Sequence, residues 1–330
     1  MIQADFQRLG FGEPDLVSLG TWIHLRLPDE IPEWDWNPST KILSRGPRQI
    51  SEITFVKLRS YGKIYLVHYQ GTAREEYAFM KFKQLKQELL LREGLIQCLA
   101  RSCLATYGFE YAVPRVHTFV RHSEWGLGLC LERIPGSHIL SEYLQSHIQW
   151  NVPCIANDTL FLSVLVQLAT YIAIFQGKYT ILHGDLKSTN VLLLTPCPTF
   201  TKTITLEGNK TWTFSSSFKL TLIDFGFAKL HGKMAHTTES RDLFFFLCTM
   251  WNIPQFRKSL TSKVIDQMHI WLKDDTTNWA KWLEFSTEEN IHGMYLLTES
   301  SRFRNVSCRP FSILQDIYKL YPELISIGND

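Results

Sequence analysis

A short polar segment constrains this chain more than any other feature. It runs from His183 to Asn190. The stretch that follows, Val191 to Ile223, is typical of short strands around a Thr/Ser-rich excursion. It ends just before an acidic residue, Asp224. The side chains of these two segments that can accept a proton, neutralise a charge or bind a metal ion are those of Asp185, Lys187, Asn190 and Asp224.

The composition is that of a globular protein. The chain has 330 residues, of which 45% are hydrophobic and 20% are charged, whereas disordered chains combine low hydrophobicity with high net charge. Its 34 Lys and Arg residues against 32 Asp and Glu residues leave a net charge of +2. Since so small a charge creates no strong overall field, we expect neither a nucleic acid nor a membrane as a partner.

The cysteines point to a reducing compartment. There are seven, an odd number, and no two have CxxC spacing, which argues against a disulfide framework and against a structural zinc site. Polar and charged residues follow Met1, so we expect no secretory signal. We expect the protein in the cytoplasm or nucleus, or in the host cytoplasm if it is viral, and we expect a monomer.

Leu160 to Phe175 is a segment that could be mistaken for a membrane span. It contains the polar residues Ser163, Gln167 and Thr170, and it is shorter than the roughly 20 apolar residues that a span needs. We therefore predict a buried helix in a helical subdomain.

Hydrophobic periodicity predicts an α+β fold, with a small antiparallel sheet followed by a larger, mainly helical lobe. Strands are predicted within 53–69, 76–82, 113–120 and 127–134, and a helix over 85–104. From about residue 138 onward helices dominate. The predicted divisions are an N-terminal extension at 1–48, a first lobe at 49–131 and a second lobe at 132–330, with an extra β-hairpin at about 195–219.

The two polar segments together resemble the protein-kinase superfamily. His183-Gly184-Asp185-Leu186-Lys187-Ser188-Thr189-Asn190 is similar to its catalytic loop, H-x-D-L-K-x-x-N, and Asp224-Phe225-Gly226 is similar to its metal-binding D-F-G. The resemblance covers about residues 50–315. It implies a bilobal, protein-kinase-like fold that uses ATP and Mg²⁺.

Phosphoryl transfer depends on positioning and on charge neutralisation, and the matched residues fit both needs. The resemblance implies that Asp185 is the base that accepts or orients a substrate hydroxyl, and that Lys187 reaches the migrating phosphate. Asn190 and Asp224 offer the hard oxygen ligands that Mg²⁺ prefers. His183 matches a position that we interpret as packing.

The resemblance also implies residues that hold the nucleotide. Lys81 matches the strand lysine that holds the α- and β-phosphates, and Glu93 is favoured over Glu88 as its helix partner. Gly62 and Ile64 match the end of the glycine-rich phosphate loop.

Residues 129–136 are similar to the hinge between kinase lobes. By position, Glu132 and Ile134 offer backbone groups to adenine, Leu131 guards the back of the pocket and Leu192 forms the floor under the base. A plain buried strand would have the same pattern, so these assignments depend on the match at 183–190.

The sequence departs from the kinase pattern in the small lobe. Lys57 and Arg59 occupy the positions of the first two loop glycines, so charge would have to replace the close backbone approach that glycine allows. Phe79 stands where the family has a small residue above adenine.

In the second lobe the departure from the kinase pattern is a short segment between Asp224 and Asp242. Asp242, which matches a buried aspartate that opens a core helix and anchors the catalytic loop, follows soon after Asp224, and no A-P-E lies between them. Together with the extra hairpin, this shortened segment resembles haspin-type kinases and the divergent kinases of large DNA viruses.

Gly184 occupies the position of an arginine that in many kinases pairs with a phosphate on the activation segment. Glycine has no side chain to pair. The sequence therefore predicts constitutive activity that needs no phosphate on Thr237, Thr238 or Ser240.

The predicted function is that of a Ser/Thr protein kinase that uses Mg-ATP, with a protein Ser or Thr hydroxyl as its substrate; Lys187 favours this class over tyrosine kinases. One alternative is a pseudokinase that binds nucleotide or protein without turnover, suggested by Lys57, Arg59 and Phe79. Another is a small-molecule kinase of the aminoglycoside or choline type, which shares H-G-D and lacks A-P-E, although Lys187 counts against it.

Overall fold

The structure, a computed structural model, describes residues 33–59, 62–71, 75–83, 87–206, 210–230, 239–272 and 308–328, without the side chains of 57–59, 62, 75 and 88. The chain divides into two compact units. Unit 1 consists of Met1–Ser102 and Val113–Pro135, and unit 2 consists of Cys103–Ala112 and Gly136–Asp330.

An antiparallel sheet forms most of unit 1. Its strand order is β1-β2-β3-β4-β5-β7-β6. Two irregularities in the pairing of β3 with β4, at Ser51/Thr54 and Phe55/Lys57, increase the local twist. The strands are β1 (Asp35–Asn37), β2 (Ile42–Arg45), β3 (Arg48–Arg59), β4 (Gly62–Gln70), β5 (Glu75–Lys83), β6 (Val116–His122) and β7 (Gly126–Glu132).

A two-residue stretch before β1 connects the two edges of this sheet. The backbone N–H of Trp34 donates to the carbonyl of Arg121 at 2.9 Å, and Glu33 forms a parallel bridge with the same residue of β6. Since Asp35 already belongs to β1 at the opposite edge, the sheet is curled, and fewer of its edge groups are left unpaired.

The Trp34 side chain fills the inside of the curl and is 1% exposed. Burying an apolar side chain of this size stabilises the sheet by about 2–3 kcal/mol. Its neighbours in the same buried cluster are Leu43, Ile50, Val67, Tyr69, Ala78, Met80, Phe82, Val120 and Cys130.

The described part of the N-terminal extension therefore differs from its prediction in one respect. The acidic composition of residues 1–40, with its tryptophans and prolines, predicts a loosely structured extension that packs by its aromatic side chains. In the structure, however, Asp35–Asn37 form β1, which pairs with β2 and belongs to the sheet. Packing through an aromatic side chain was expected, and Trp34 provides it. Strand formation here depends on the buried face that the rest of the sheet supplies, which the local sequence does not reveal. Residues 1–32 lie outside the described part.

Helix α1 (Gln87–Ala105) follows β5 and packs against the sheet. Leu90 lies in a buried cluster with Phe119 of β6 and with Leu127 and Leu129 of β7. Gly94 permits the close approach, because a Cβ at this position would lie 2.5 Å from the Phe119 ring.

The described residues of unit 2 form further helices and several short strands. Thr180, in the left-handed conformation, ends α3, the longest of these described helices. The helices are α2 (Leu140–His147), α3 (Ile155–Tyr179), α4 (Arg241–Trp251), α5 (Pro254–Arg257), α6 (Ser262–Leu272) and α7 (Pro310–Leu320). The strands are β8 (Ser137–Ile139), β9 (Ile181–Leu182), β10 (Val191–Leu194), β11 (Phe200–Leu206), β12 (Lys210–Ser216), β13 (Lys219–Leu222), β14 (Lys229–Leu230) and β15 (Ile325–Gly328).

Helix α3 contains the apolar segment 160–175, for which we predicted a buried helix. The helix is long and apolar enough to cross a membrane, but 78% of its most apolar window is buried inside the protein. Two of its polar residues are hydrogen-bonded within the unit: Gln167 donates to Ser216 Oγ at 3.0 Å, and Thr170 Oγ1 accepts from Trp212 Nε1 at 2.9 Å. Segment 160–175 is thus a core helix of unit 2.

The predicted extra hairpin is present as β11 and β12, which pair from Phe200 with Ser216 to Leu206 with Lys210. Strand β15 extends it to three strands. On its exposed face, hydroxyl groups bond in pairs across the strands, as in Thr203 with Thr213 at 2.8 Å. On the other face Trp212 is fully buried, so the hairpin belongs to the core of unit 2.

The fold class predicted from the sequence is confirmed. The chain is α+β: the described residues of unit 1 form an antiparallel sheet and one helix, and unit 2 is larger and mainly helical. The divisions at residues 48/49 and 131/132 stay predictions.

We expect Trp34→Ala to lower the free energy of unfolding by about 3–5 kcal/mol, because the change leaves a cavity inside the curled sheet. Urea denaturation followed by far-UV circular dichroism measures this. The matched control is Val56→Ala, since Val56 lies on β3 of the same sheet with 45% of its surface exposed, and it should cost about 1 kcal/mol or less. Equal losses in the two variants would contradict a structural role for Trp34.

Candidate active site

Unit 1 brings Lys81 of β5 and Glu93 of α1 together. Lys81 Nζ lies 2.8 Å from Glu93 Oε1 and 2.9 Å from Oε2. The Glu93 side chain is 2% exposed and that of Lys81 is 14% exposed, so water screens the pair little. Glu93 directly precedes Gly94, where a Cβ would collide with Phe119 and Leu129 of the sheet. The side chain of the other candidate partner, Glu88, lies outside the described part.

The residues matched to the phosphate loop lie on the strands next to Lys81. Gly62 begins β4 opposite Arg59, and Ile64 is paired with Lys57 on one side and with Lys81 on the other. Because directly opposed residues of neighbouring strands share a face, Ile64 lies on the same face of the sheet as Lys81. The side chains of Lys57 and Arg59 are outside the described part, so their expected contact with phosphate stays a prediction.

The segment matched to the hinge is held by hydrogen bonds to the residues before β6. The backbone N–H of Glu132 donates to the carbonyl of Arg115 at 2.8 Å, so it is not available to a ligand. The Glu132 carboxylate accepts the Arg115 N–H at 2.8 Å and lies 3.2 Å from Arg101 Nη1. Ile134 follows β7. The contacts of Glu132 and Ile134 with adenine stay predictions.

Unit 2 brings Asp185, Lys187 and Asn190 into one cluster. Asn190 Nδ2 donates to both the backbone oxygen and Oδ2 of Asp185, each at 2.9 Å. Lys187 Nζ lies 3.0 Å from the same Oδ2. Oδ1 of Asp185 is buried and has no hydrogen-bond partner in the part of the chain that the structure describes. The contacts of Oδ2 therefore hold the whole carboxylate in place, and Oδ1 has no hydrogen-bond partner among the described residues.

His183 does more than pack. Its Nδ1 lies 3.3 Å from the backbone N of Asp185, which can only donate, so Nδ1 is the acceptor. Nε2 therefore carries the hydrogen and donates to the carbonyl of Ile223 at 3.2 Å. The ring thus connects Asp185 to the residue that precedes Asp224. The sequence interpretation missed this role, although a histidine two residues before an aspartate was the available signal.

Asp242 holds the backbone of the polar loop. It lies in the first turn of α4 and is 1% exposed; Oδ2 accepts the N–H of His183 at 2.8 Å, and Oδ1 accepts that of Gly184 at 2.9 Å. Burial raises the pKa of the Asp242 carboxyl, and the neighbouring His183 and the two N–H groups act in the opposite direction. The anchoring aspartate inferred from the resemblance occupies the expected position.

Asp224 lies directly after a residue bonded to Asn190. Ile223 N–H donates to the carbonyl of Asn190 at 3.0 Å. Asp224 itself has φ 65° and ψ 73°, a left-handed conformation that costs a non-glycine residue about 1 kcal/mol or more and that clusters at functional sites. Leu192, matched to the floor under the base, is half-buried on β10, between Ile139 of β8 and Thr221 of β13.

The donor chemistry fits Mg²⁺ better than a transition metal. In the described ranges, no group of three His, Cys, Asp or Glu side chains lies together as a metal cage. Mg²⁺ needs no such cage, because it is held by one or two carboxylates together with phosphate oxygens and water. Asp224 and Asn190, joined through the Ile223 bond, supply a carboxylate and an amide oxygen.

No family model matches the sequence, and no curated protein matches it. The structure matches 1328 chains of solved structures. One of these is the crystal structure of the PF14_0431 kinase domain, with 14% sequence identity, coverage of 90% of this chain and 94% of that chain, and a TM-score of 0.41. A likeness at this level carries no argument about activity, so we infer the function from the side chains of the two units.

We expect Asp242→Asn to lower the free energy of unfolding by about 2 kcal/mol, because an amide offers one acceptor where two N–H groups need two. Thermal and urea denaturation measure the change. Asp266→Asn is the matched control, since Asp266 is exposed on α6, and it should be neutral within about 0.5 kcal/mol. A neutral Asp242→Asn would mean that the loop does not depend on this anchor.

Proposed function

We propose that this protein is a Mg-ATP-dependent phosphotransferase that phosphorylates Ser or Thr hydroxyls of a protein substrate. The observation that carries the proposal is the divided environment of the Asp185 carboxylate. Asn190 and Lys187 engage Oδ2, whereas Oδ1 is buried without a partner among the described residues.

A buried carboxylate oxygen without a partner is costly, at about 1–3 kcal/mol or more. Such groups are uncommon, and a catalytic role is one of the few reasons for keeping one. An oxygen held in place and still able to accept a hydrogen bond is what a general base requires. Asp185 Oδ1 accepts the proton of the substrate hydroxyl in this proposal.

The neighbouring residues have separate roles. Lys187, which is 26% exposed and 3.0 Å from Asp185 Oδ2, neutralises the charge that develops on the transferred group. Asn190 holds Asp185 through Nδ2 and offers Oδ1 to the metal together with Asp224. Bound Mg-ATP supplies the phosphoryl group and neutralises phosphate charge.

In unit 1 the proposal assigns nucleotide binding to the face of the sheet that includes Lys81. Glu93 holds the ammonium group through both carboxylate oxygens. A lysine fixed in this way has lost most of its rotamer freedom before a ligand arrives, which lowers the entropic cost of binding phosphate. Gly62 and Ile64 on β4, the backbone carbonyl of Glu132 at the end of β7 and the backbone of Ile134 after it complete the proposed nucleotide contacts.

One observation favours the alternative of a pseudokinase. Phe79 lies two residues before Lys81 on β5, so the two side chains are on the same face of the sheet. Phe79 is paired with Leu66 on one side and with Leu131 on the other, and it is 36% exposed. A phenyl ring on this face reduces the room for a base. The enzyme assays must therefore distinguish nucleotide binding with phosphate transfer from nucleotide binding without it.

We expect Asp185→Asn to lower the rate of ATP-dependent phosphorylation by about 10²- to 10⁴-fold while the thermal shift caused by Mg-ATP is retained, because the amide removes the base and not the nucleotide contacts. Radiolabelled phosphate transfer to a Ser/Thr peptide library and to the protein itself measures the rate. Asp266→Asn serves as the control. If wild type binds Mg-ATP without transferring phosphate, the protein is a pseudokinase; transfer to aminoglycosides or choline alone would assign the small-molecule class.

We expect Lys81→Met to lower kcat/KM for ATP by at least about 100-fold, because it removes the cation that holds the phosphates in this proposal. The matched control is Lys41→Met, an exposed lysine in the turn between β1 and β2 of the same sheet, which should remain within about threefold of wild type. Steady-state kinetics with varied ATP, together with a melting curve for each variant, make the comparison. Equal losses of activity and stability in Lys81→Met would assign a structural role to Lys81.

A further inference from the structure

Gly184 has a geometry that no other residue type can adopt without displacing its surroundings. Its φ is +79°, in the left-handed region. A Cβ placed on it would lie 2.4 Å from the carbonyl oxygen of Phe227, 3.0 Å from the carbonyl carbon and 3.3 Å from the Cβ of the same residue. The first two obstructing atoms are backbone, so a rotamer change cannot relieve the contact. The Phe227 peptide occupies the space that a side chain at position 184 would need.

The other side of Gly184 is fixed as well. Its N–H donates to Asp242 Oδ1 at 2.9 Å, and the N–H before it donates to Oδ2 at 2.8 Å. Asp242 is fully buried in the first turn of α4. The loop therefore cannot move away from Phe227 without breaking charge-assisted hydrogen bonds. A side chain at position 184 would have to displace the Phe227 segment instead.

The Phe227 segment also carries Asp224. Phe225 is 1% exposed and its ring lies 4.8 Å from that of His183. Ala228 N–H donates to the carbonyl of Phe225 at 3.0 Å, closing a tight turn. Lys229 and Leu230 then form β14, paired antiparallel with β9 directly before His183. Residues 224–230 are thus held against the polar loop at both ends and, through Phe227, in the middle.

We propose that Gly184 is a positioning residue, which holds Asp224 in register with Asp185 by letting the Phe227 carbonyl lie against the polar loop. The inference deepens the proposed function and rests on it for its catalytic consequence. In this proposal, backbone contacts hold the 224–230 segment in place, a function that an ion pair between an arginine and a phosphate has in many kinases. The position cannot accommodate an arginine, so the segment is ordered without phosphorylation.

The first experiment compares two glycine-to-alanine variants that differ in one respect. Gly46→Ala, in the turn between β2 and β3, has φ +56° and no atom within 4 Å of the added Cβ, so it reports only the cost of the left-handed backbone. Gly184→Ala adds the collision with Phe227. Hydrogen exchange of the peptide 225–230 is measured in phosphatase-treated wild type and in both variants.

We expect the 225–230 amides to exchange at least about tenfold faster in Gly184→Ala than in wild type or Gly46→Ala. We also expect kcat to fall about 10- to 100-fold, as displaced catalytic groups do, while KM for ATP stays within about threefold. Unchanged exchange in Gly184→Ala would overturn the proposal. So would equal changes in the two variants.

A second variant tests the contact from its other side. Phe227→Gly gives the 227 peptide the freedom to turn aside and removes an exposed ring, which is 45% exposed. In the double variant Gly184→Ala/Phe227→Gly we expect at least about half of the lost exchange protection to return, since contacting residues are coupled in double-mutant cycles. Backbone strain at position 184 alone would not be rescued in this way, so no recovery overturns the proposal. Should Gly184→Ala fail to fold, folding of the double variant supports the contact and its failure overturns it.

The exchange measurement separates this inference from the proposed function. Changed exchange in Gly184→Ala together with wild type that transfers no phosphate would reject the kinase assignment and leave the positioning contact standing. Phosphate transfer by wild type together with unchanged exchange would reject the positioning role alone. Phosphatase treatment that lowers the wild-type rate at least about tenfold would overturn the claim that the segment needs no phosphate.

Discussion

The candidate site of unit 2 depends on one buried carboxylate, that of Asp242. Its two oxygens accept the backbone N–H groups of His183 and Gly184, which fixes the start of the polar loop on α4. From there His183 connects Asp185 to Ile223 through the two nitrogens of its ring. The relative positions of the proposed base and the proposed metal ligand follow from these bonds. A water-exposed aspartate would not hold them so firmly, because solvent competes for the same donors.

Unit 1 positions its charged pair by a different means, the close approach of a helix to a sheet. Glu93 reaches Lys81 because Gly94 lets α1 pack against Phe119 and Leu129. The sheet that carries Lys81 is itself closed at its edges by Trp34. Packing around small and large apolar residues thus places an ion pair, whereas in unit 2 hydrogen bonds to a buried acid place the loop.

Much of the fold followed from local patterns. Strands β3 to β7 of unit 1, helix α1 and the β11–β12 hairpin overlap the segments that local patterns predicted, because the side chains that face a core recur with the period of the element. The candidate site residues could also be identified from the sequence, since they lie in two short motifs around Asp185 and Asp224. The strand character of residues 35–45 was not predicted, because charged and polar residues there join the sheet only when the buried face of Trp34 is available.

The sequence by itself indicated the candidate site residues: Asp185, Lys187, Asn190 and Asp224 form a pattern that requires no knowledge of distant contacts. Only the tertiary structure decided that Glu93 pairs with Lys81, that His183 connects the two aspartate segments, and that a side chain at position 184 would collide with Phe227. The sequence interpretation described Gly184 as a missing side chain, whereas its importance lies in the Phe227 carbonyl that fills the space. The physical reason is that steric exclusion and buried hydrogen bonds act between segments far apart in the chain, where local propensity has no influence.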